Sequence, residues 1–153
     1  MRGQEGDFWK GQVDFTPPEF YPFGKHREQD LINRQFMTKT SEMPQWITFD
    51  LGLEFIERNK DADNWFLQLE TFDPHEPFFT QQEFQEMYPH NYDGPLFDWP
   101  PYRSVAEDPE QVRHIQCMYA SLLTMCDMSL GRVLDAFDTY GLWDDTMLIV
   151  NTE

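Results

Sequence analysis

Apolar residues recur at helical spacing along three stretches of the chain and run almost uninterrupted along two others. Between residues 108 and 140, Ile115, Met118, Tyr119, Leu122, Leu123, Cys126, Leu130, Val133, Leu134 and Phe137 follow the i, i+3, i+4, i+7 rule of one buried helix face. Asp108 is placed to cap that helix, Pro109 suits its first position, Glu110 favours its positive end, and Gly141 ends it. A second helix is expected over 41–59. Ser41 would be its N-cap and Pro44 would sit in its first turn, while Trp46, Ile47, Phe49, Leu51, Leu53, Phe55 and Ile56 supply apolar surface. Gly52 weakens that pattern slightly. A third helix fits 26–38, with Leu31, Ile32, Gln35 and Phe36 roughly on one side, and a short one fits 81–88. Residues 1–25 scatter aromatics among Pro and Gly with neither period and read as irregular, packed coil.

The two apolar runs differ in kind. Residues 65–72 (WFLQLETF) and 146–152 (TMLIVNT) are rich in aromatic and branched side chains and read as buried strands. A strand, a long helical crossover and a second strand imply an α/β fold of mostly parallel buried strands flanked by helices. Ligands in such folds bind beyond the carboxyl ends of the strands. Those ends carry Asp73 and His75 after the first run and Glu153 after the second.

His75 lies in Asp73-Pro74-His75-Glu76-Pro77, where two prolines restrict the backbone and bias Asp73 and Glu76 away from helix. The local pattern by itself fits an exposed loop histidine beside carboxylates. Its place at a strand's carboxyl end favours a site residue instead. The Pro-rich loop 89–103 (PHNYDGPLFDWPPYR) is long enough to be functional, and His90 and Arg103 within it face either a ligand or solvent. Asp127 lies beside the apolar face of the long helix and would need a partner there.

Composition narrows the functional classes. With 40% hydrophobic and 16% aromatic residues, the chain can form a packed core. Its 28 acidic residues outnumber 11 basic ones, giving a net charge of −17. Nucleic acid and anionic membranes are therefore disfavoured as partners, and an anionic substrate would need locally concentrated positive charge. Cys117 and Cys126, on one helix, sit about 13 Å apart along its axis and cannot form a disulfide. Cys126 falls on the apolar face and reads as small core filler. No apolar stretch reaches the ~18 residues of a membrane span, and the first seven residues are not a signal peptide.

FLQLETFDPHEPFF resembles the strand and PH-P segment of the sulfatase family, within the alkaline-phosphatase-like superfamily. Residues 119–152, YASLLTMCDMSLGRVLDAFDTYGLWDDTMLIVNT, are similar to that family's long helix, Gly-Leu-Trp-Asp-Asp turn and following strand. The resemblance implies a partial alkaline-phosphatase-like domain and hydrolysis of sulfate esters by a metal-held formylglycine. His75 takes the position of the histidine that contacts the sulfate group or assists the leaving oxygen. Glu153 takes the position of an Asp that ligates Ca2+ or Mg2+, a longer carboxylate in its place. The family's Cys/Ser-x-Pro-x-Arg nucleophile motif is absent, and neither Cys117 nor Cys126 has the following Pro and Arg. The paired aspartates completing the metal site and the later lysine are not recognisable. Residues 1–153 are thus expected to be an internal piece of one catalytic domain, incomplete at both ends and inactive alone. A phosphodiesterase or phosphonate monoester hydrolase of the same superfamily is the alternative enzyme, and a small acidic interaction module the non-enzymatic one.

Overall fold

A computed structural model describes residues 26–152. Four α-helices follow one another: α1 (His26–Arg34), α2 (Pro44–Asn59), α3 (Gln82–Gln85) and α4 (Pro109–Tyr140), with 3-10 turns at Thr40–Glu42 and Leu142–Asp144. α4 is built as its sequence dictates. The Asp108 carboxylate accepts from the Gln111 N–H at its start, Pro109 occupies the first position, and Gly141 closes it in the left-handed region at φ 66°. α2 begins differently from the expectation. Ser41 lies in the preceding 3-10 turn, and Met43 is the N-cap with no side-chain bond, leaving Pro44 at the first position to start the helix. α1 ends at Arg34, short of the expected 38.

α2 lies along α4, and their contact organises two clusters. Met43, Phe84, Leu122 and Met125 form one, and Ile56, Val133, Phe137 and Leu142 the other. The buried stripe of α4 is rotated from the expected one. Cys117, Ser121, Met125 and Ser129 are buried, whereas Tyr119, Leu123 and Leu134 are exposed. Ser121 and Ser129 tolerate burial because their hydroxyls donate to the carbonyls of Cys117 (2.8 Å) and Met125 (3.0 Å). Cys117, rather than Cys126, is the core cysteine, and both thiols are free. Asp127 is exposed, so its carboxylate needs no buried partner.

The expected α/β sheet is not present: no strand forms among the described residues. Both apolar runs are extended but share no hydrogen-bond ladder, and each rests on the helices through one side only. Trp65 meets Phe55 edge-on at 5.9 Å, and Leu67 and Leu148 pack on the Ile56–Phe137 cluster. The alternate side chains face outward, with Phe66 84% and Met147 82% exposed. A near-continuous apolar run reads as buried on both faces, but here no layer of described residues covers the second face. Residues 146–152 therefore run as a single extended segment, and 65–72 do the same.

Gly52 has a definite use in this arrangement. A Cβ at that position would stand 2.5 Å from Leu69 Cδ2, so the missing side chain lets the extended run approach α2. Gly52→Val is expected to lower stability by about 1–3 kcal/mol through overpacking, read by urea denaturation. A midpoint equal to wild type would show that Leu69 does not depend on the notch.

Candidate active site

The turn that follows the first extended run is held at both ends. The His75 N–H donates to the Phe72 carbonyl at 3.1 Å, and the Phe78 N–H donates to the Asp98 carbonyl at 2.7 Å. Cis peptide bonds precede both Pro74 and Pro77. The imidazole of His75 lies 4.3 Å from the Phe72 ring at a 36° tilt, which limits how far it can rotate.

Three polar contacts surround this imidazole. Nδ1 lies 2.7 Å from the Glu76 carbonyl oxygen and 3.5 Å from the Glu76 carboxylate. Since a carbonyl only accepts, the first contact places a hydrogen on Nδ1 and directs Nε2 outward. The Tyr102 hydroxyl lies 3.3 Å from Nε2 and also donates to the Glu76 carboxylate. The Glu76 side chain is buried while the His75 side chain is 45% exposed, so the imidazole is accessible on a buried acidic support. The hydrogen bond to Glu76 raises the Tyr102 phenol above its ordinary pKa, with smaller contributions in the same direction from desolvation and the Glu76 charge.

Asp73 lies at the mouth of the turn and is mostly buried. Burial favours its neutral acid and raises its pKa from 3.8 to about 6. The folded chain therefore holds a proton that the unfolded chain has released. The resulting stabilisation is full below about pH 4 and is lost as the pH rises through about 6. Asp73→Asn is expected to flatten that dependence and to add on the order of 2 kcal/mol of stability at pH 7. Tm measured from pH 4 to 7 checks this, and a wild-type pH slope in the variant would contradict it.

His90 and Arg103, which on the sequence of loop 89–103 face either a ligand or solvent, do not join this cluster. His90 faces inward: its Nδ1 contacts the Tyr88 carbonyl at 2.8 Å and its Nε2 lies 2.7 Å from Nδ1 of His114. His114 in turn stacks on Tyr92 at 4.0 Å and is pulled down to about 4, first by burial and then by His90. Arg103 pairs with Glu107 at 2.8 Å. Both candidates from loop 89–103 thus hold that loop in shape. Tyr102, on the same loop, is the residue the sequence did not single out. Nothing local distinguishes it from the other aromatics nearby, and only the fold brings it to His75. A groove of about 340 Å³ lined by Thr40, Trp46, Glu83, Phe84 and Met128 lies apart from His75 and its partners.

The cation and modified nucleophile implied by the resemblance are not matched by the described residues. Among them, no three His, Cys, Asp or Glu side chains are grouped to hold a metal ion. Glu153 lies outside the described residues. Cys117 and Cys126 lie within α4, and burial pushes the Cys126 thiol up to about 11, far from a reactive thiolate. No helix among the described residues is long and apolar enough to cross a membrane.

Sequence comparison gives this turn a context. The family described as Sulfatase matches residues 6–151. The chain is 24% identical over 189 positions to the multifunctional alkaline phosphatase superfamily protein PehA of Trinickia caryophylli, covering 97% of this chain and 35% of that protein. No solved structure matches.

Proposed function

The chain belongs to the sulfatase family, and from that premise we propose that it contributes His75 to an active site that hydrolyses sulfate esters. The observation that carries this reading is the fixed imidazole. Nδ1 is held by the Glu76 carbonyl at 2.7 Å, and Nε2 is turned toward the accessible side. As the S–O bond of a sulfate ester breaks, its electron pair passes to the departing oxygen. A proton from Nε2 converts that oxygen to the alcohol and avoids an unstable alkoxide. Alternatively Nε2–H donates a hydrogen bond to a sulfate oxygen and stabilises the charge that gathers there. In the complete enzyme, a Ca2+ or Mg2+ ion would supply the positive charge that an anionic substrate needs beside an acidic chain, and a formylglycine would supply the nucleophile.

The chain spans about a third of the relative's length, 35% of it. We read residues 1–153 as part of one larger catalytic domain. Pure, metal-loaded 153-residue chain is expected to show no hydrolysis of 4-nitrophenyl sulfate, whereas a full-length enzyme carrying this segment hydrolyses it. Turnover by the chain alone would overturn that division of labour. A second reading, hydrolysis of phosphodiesters or phosphonate monoesters, draws on the relative, whose name describes it as multifunctional and places it in the alkaline phosphatase superfamily. Matched 4-nitrophenyl sulfate, phosphodiester and phosphonate substrates separate the two by their kcat/KM values.

A further inference from the structure

His75 is held by more than its own turn. Tyr102 comes from the loop between α3 and α4, is 85% exposed, and yet brings its hydroxyl into the middle of the His75–Glu76 pair. That hydroxyl has a single hydrogen, and it is directed to the Glu76 carboxylate. Toward Nε2, 3.3 Å away, the oxygen can therefore only accept. The Nδ1 contact with the Glu76 carbonyl also requires hydrogen on the ring. The three contacts are complete together only when both ring nitrogens carry hydrogen, the form that can give up a proton.

Glu76 balances this arrangement. One carboxylate oxygen takes the Tyr102 hydroxyl, and the other lies 3.5 Å from Nδ1. A buried carboxylate without a donor is costly, so the hydroxyl keeps this one both satisfied and aimed at the imidazole. The Nε2 contact, at 3.3 Å, is longer than either the Nδ1 bond to the Glu76 carbonyl or the Tyr102 bond to the Glu76 carboxylate. A substrate oxygen can take its place while Tyr102 remains on Glu76.

We propose that Tyr102 is a positioning residue for His75, acting through Glu76 to keep the imidazole in one orientation with Nε2 presented to the ester. This inference rests on the reading of His75 given above, but its test does not depend on that reading alone. Tyr102→Phe removes only the hydroxyl and leaves the ring, which belongs to a residue 85% exposed. In a full-length enzyme carrying this segment, the variant is expected to lower kcat on 4-nitrophenyl sulfate about tenfold, with KM changed less than about twofold. The second readout needs no turnover: 13C relaxation at Cε1 of His75, assigned by its loss in His75→Gln, reports the order of the ring. That order is expected to fall in Tyr102→Phe. Unchanged ring order overturns the proposal whatever the kinetics, as does loss of ring order with kcat unaltered. If wild-type enzyme turns over no sulfate ester while Tyr102→Phe still loosens the ring, the positioning role stands and the sulfatase reading fails.

Discussion

His75→Ala in a full-length enzyme carrying this segment is expected to lower kcat on an aryl sulfate by ~10²-fold, with folding retained. The magnitude is what one positioned proton donor typically contributes to bond cleavage. The effect depends on the leaving group. A poor leaving group, such as a sugar alcohol, needs the proton more than 4-nitrophenolate does, so the loss should grow as leaving-group pKa rises. Folding should survive because the His75 side chain is 45% exposed and no core cluster includes it. Far-UV circular dichroism and the urea midpoint establish this alongside the kinetics. Equal turnover in wild type and variant would remove His75 from the chemistry and leave a well-ordered turn histidine.

The largest loss of stability is expected from Asp98→Ala, about 3 kcal/mol, measured as a shift in the urea midpoint at constant slope. Asp98 is fully buried and lies 2.5 Å from Nη1 of Arg34. Arg34 also pairs with Asp30 at 2.6 Å and stacks on Phe79 at 4.4 Å. Burial opposes the guanidinium charge, but Asp98 and then Asp30 outweigh it, and the Arg34 pKa is raised. Removing Asp98 leaves a buried cation with half of its compensation. Breaking a buried pair costs about 3–5 kcal/mol, and the surviving Asp30 contact places this case at the low end. The consequence reaches the site, because the Asp98 carbonyl receives the Phe78 N–H beyond the His75 turn and Tyr102 follows four residues later on the same loop. A change below about 0.5 kcal/mol would mean that the pair orders the loop without stabilising it.

The helices were legible because their signals are local. The Asp108 cap, Pro109 and Gly141 fix α4 residue by residue, and these need no knowledge of the rest of the fold. The buried side of α4 was less legible. Large apolar residues indicate burial only on average, while Ser121 and Ser129 enter the core by bonding their own helix. The sheet was misread for a physical reason. A strand is defined by its partner's hydrogen bonds, and composition in 65–72 and 146–152 records a preference for extended backbone without naming a partner. Phe66, Phe72, Met147 and Ile149 have the side chains of a buried strand and are nonetheless exposed.

The site divides the same way. His75 was visible because two prolines frame it within one short segment. Tyr102, 27 positions further on, meets His75 through the long-range Phe78–Asp98 and Arg34–Asp98 contacts, which no local pattern encodes. His90 and Arg103 carried no such local frame, and the structure engages them with His114 and Glu107.

The central claim is that Nε2 of His75 faces the reacting ester. A crystal structure of a full-length enzyme carrying this segment, with sulfate or vanadate in its active site, measures that directly. An anion oxygen within about 2.6–3.2 Å of Nε2, with Nδ1 still on the Glu76 carbonyl, is the predicted result. An anion held at the active site with the His75 imidazole turned away, and no oxygen within reach of either ring nitrogen, would contradict it.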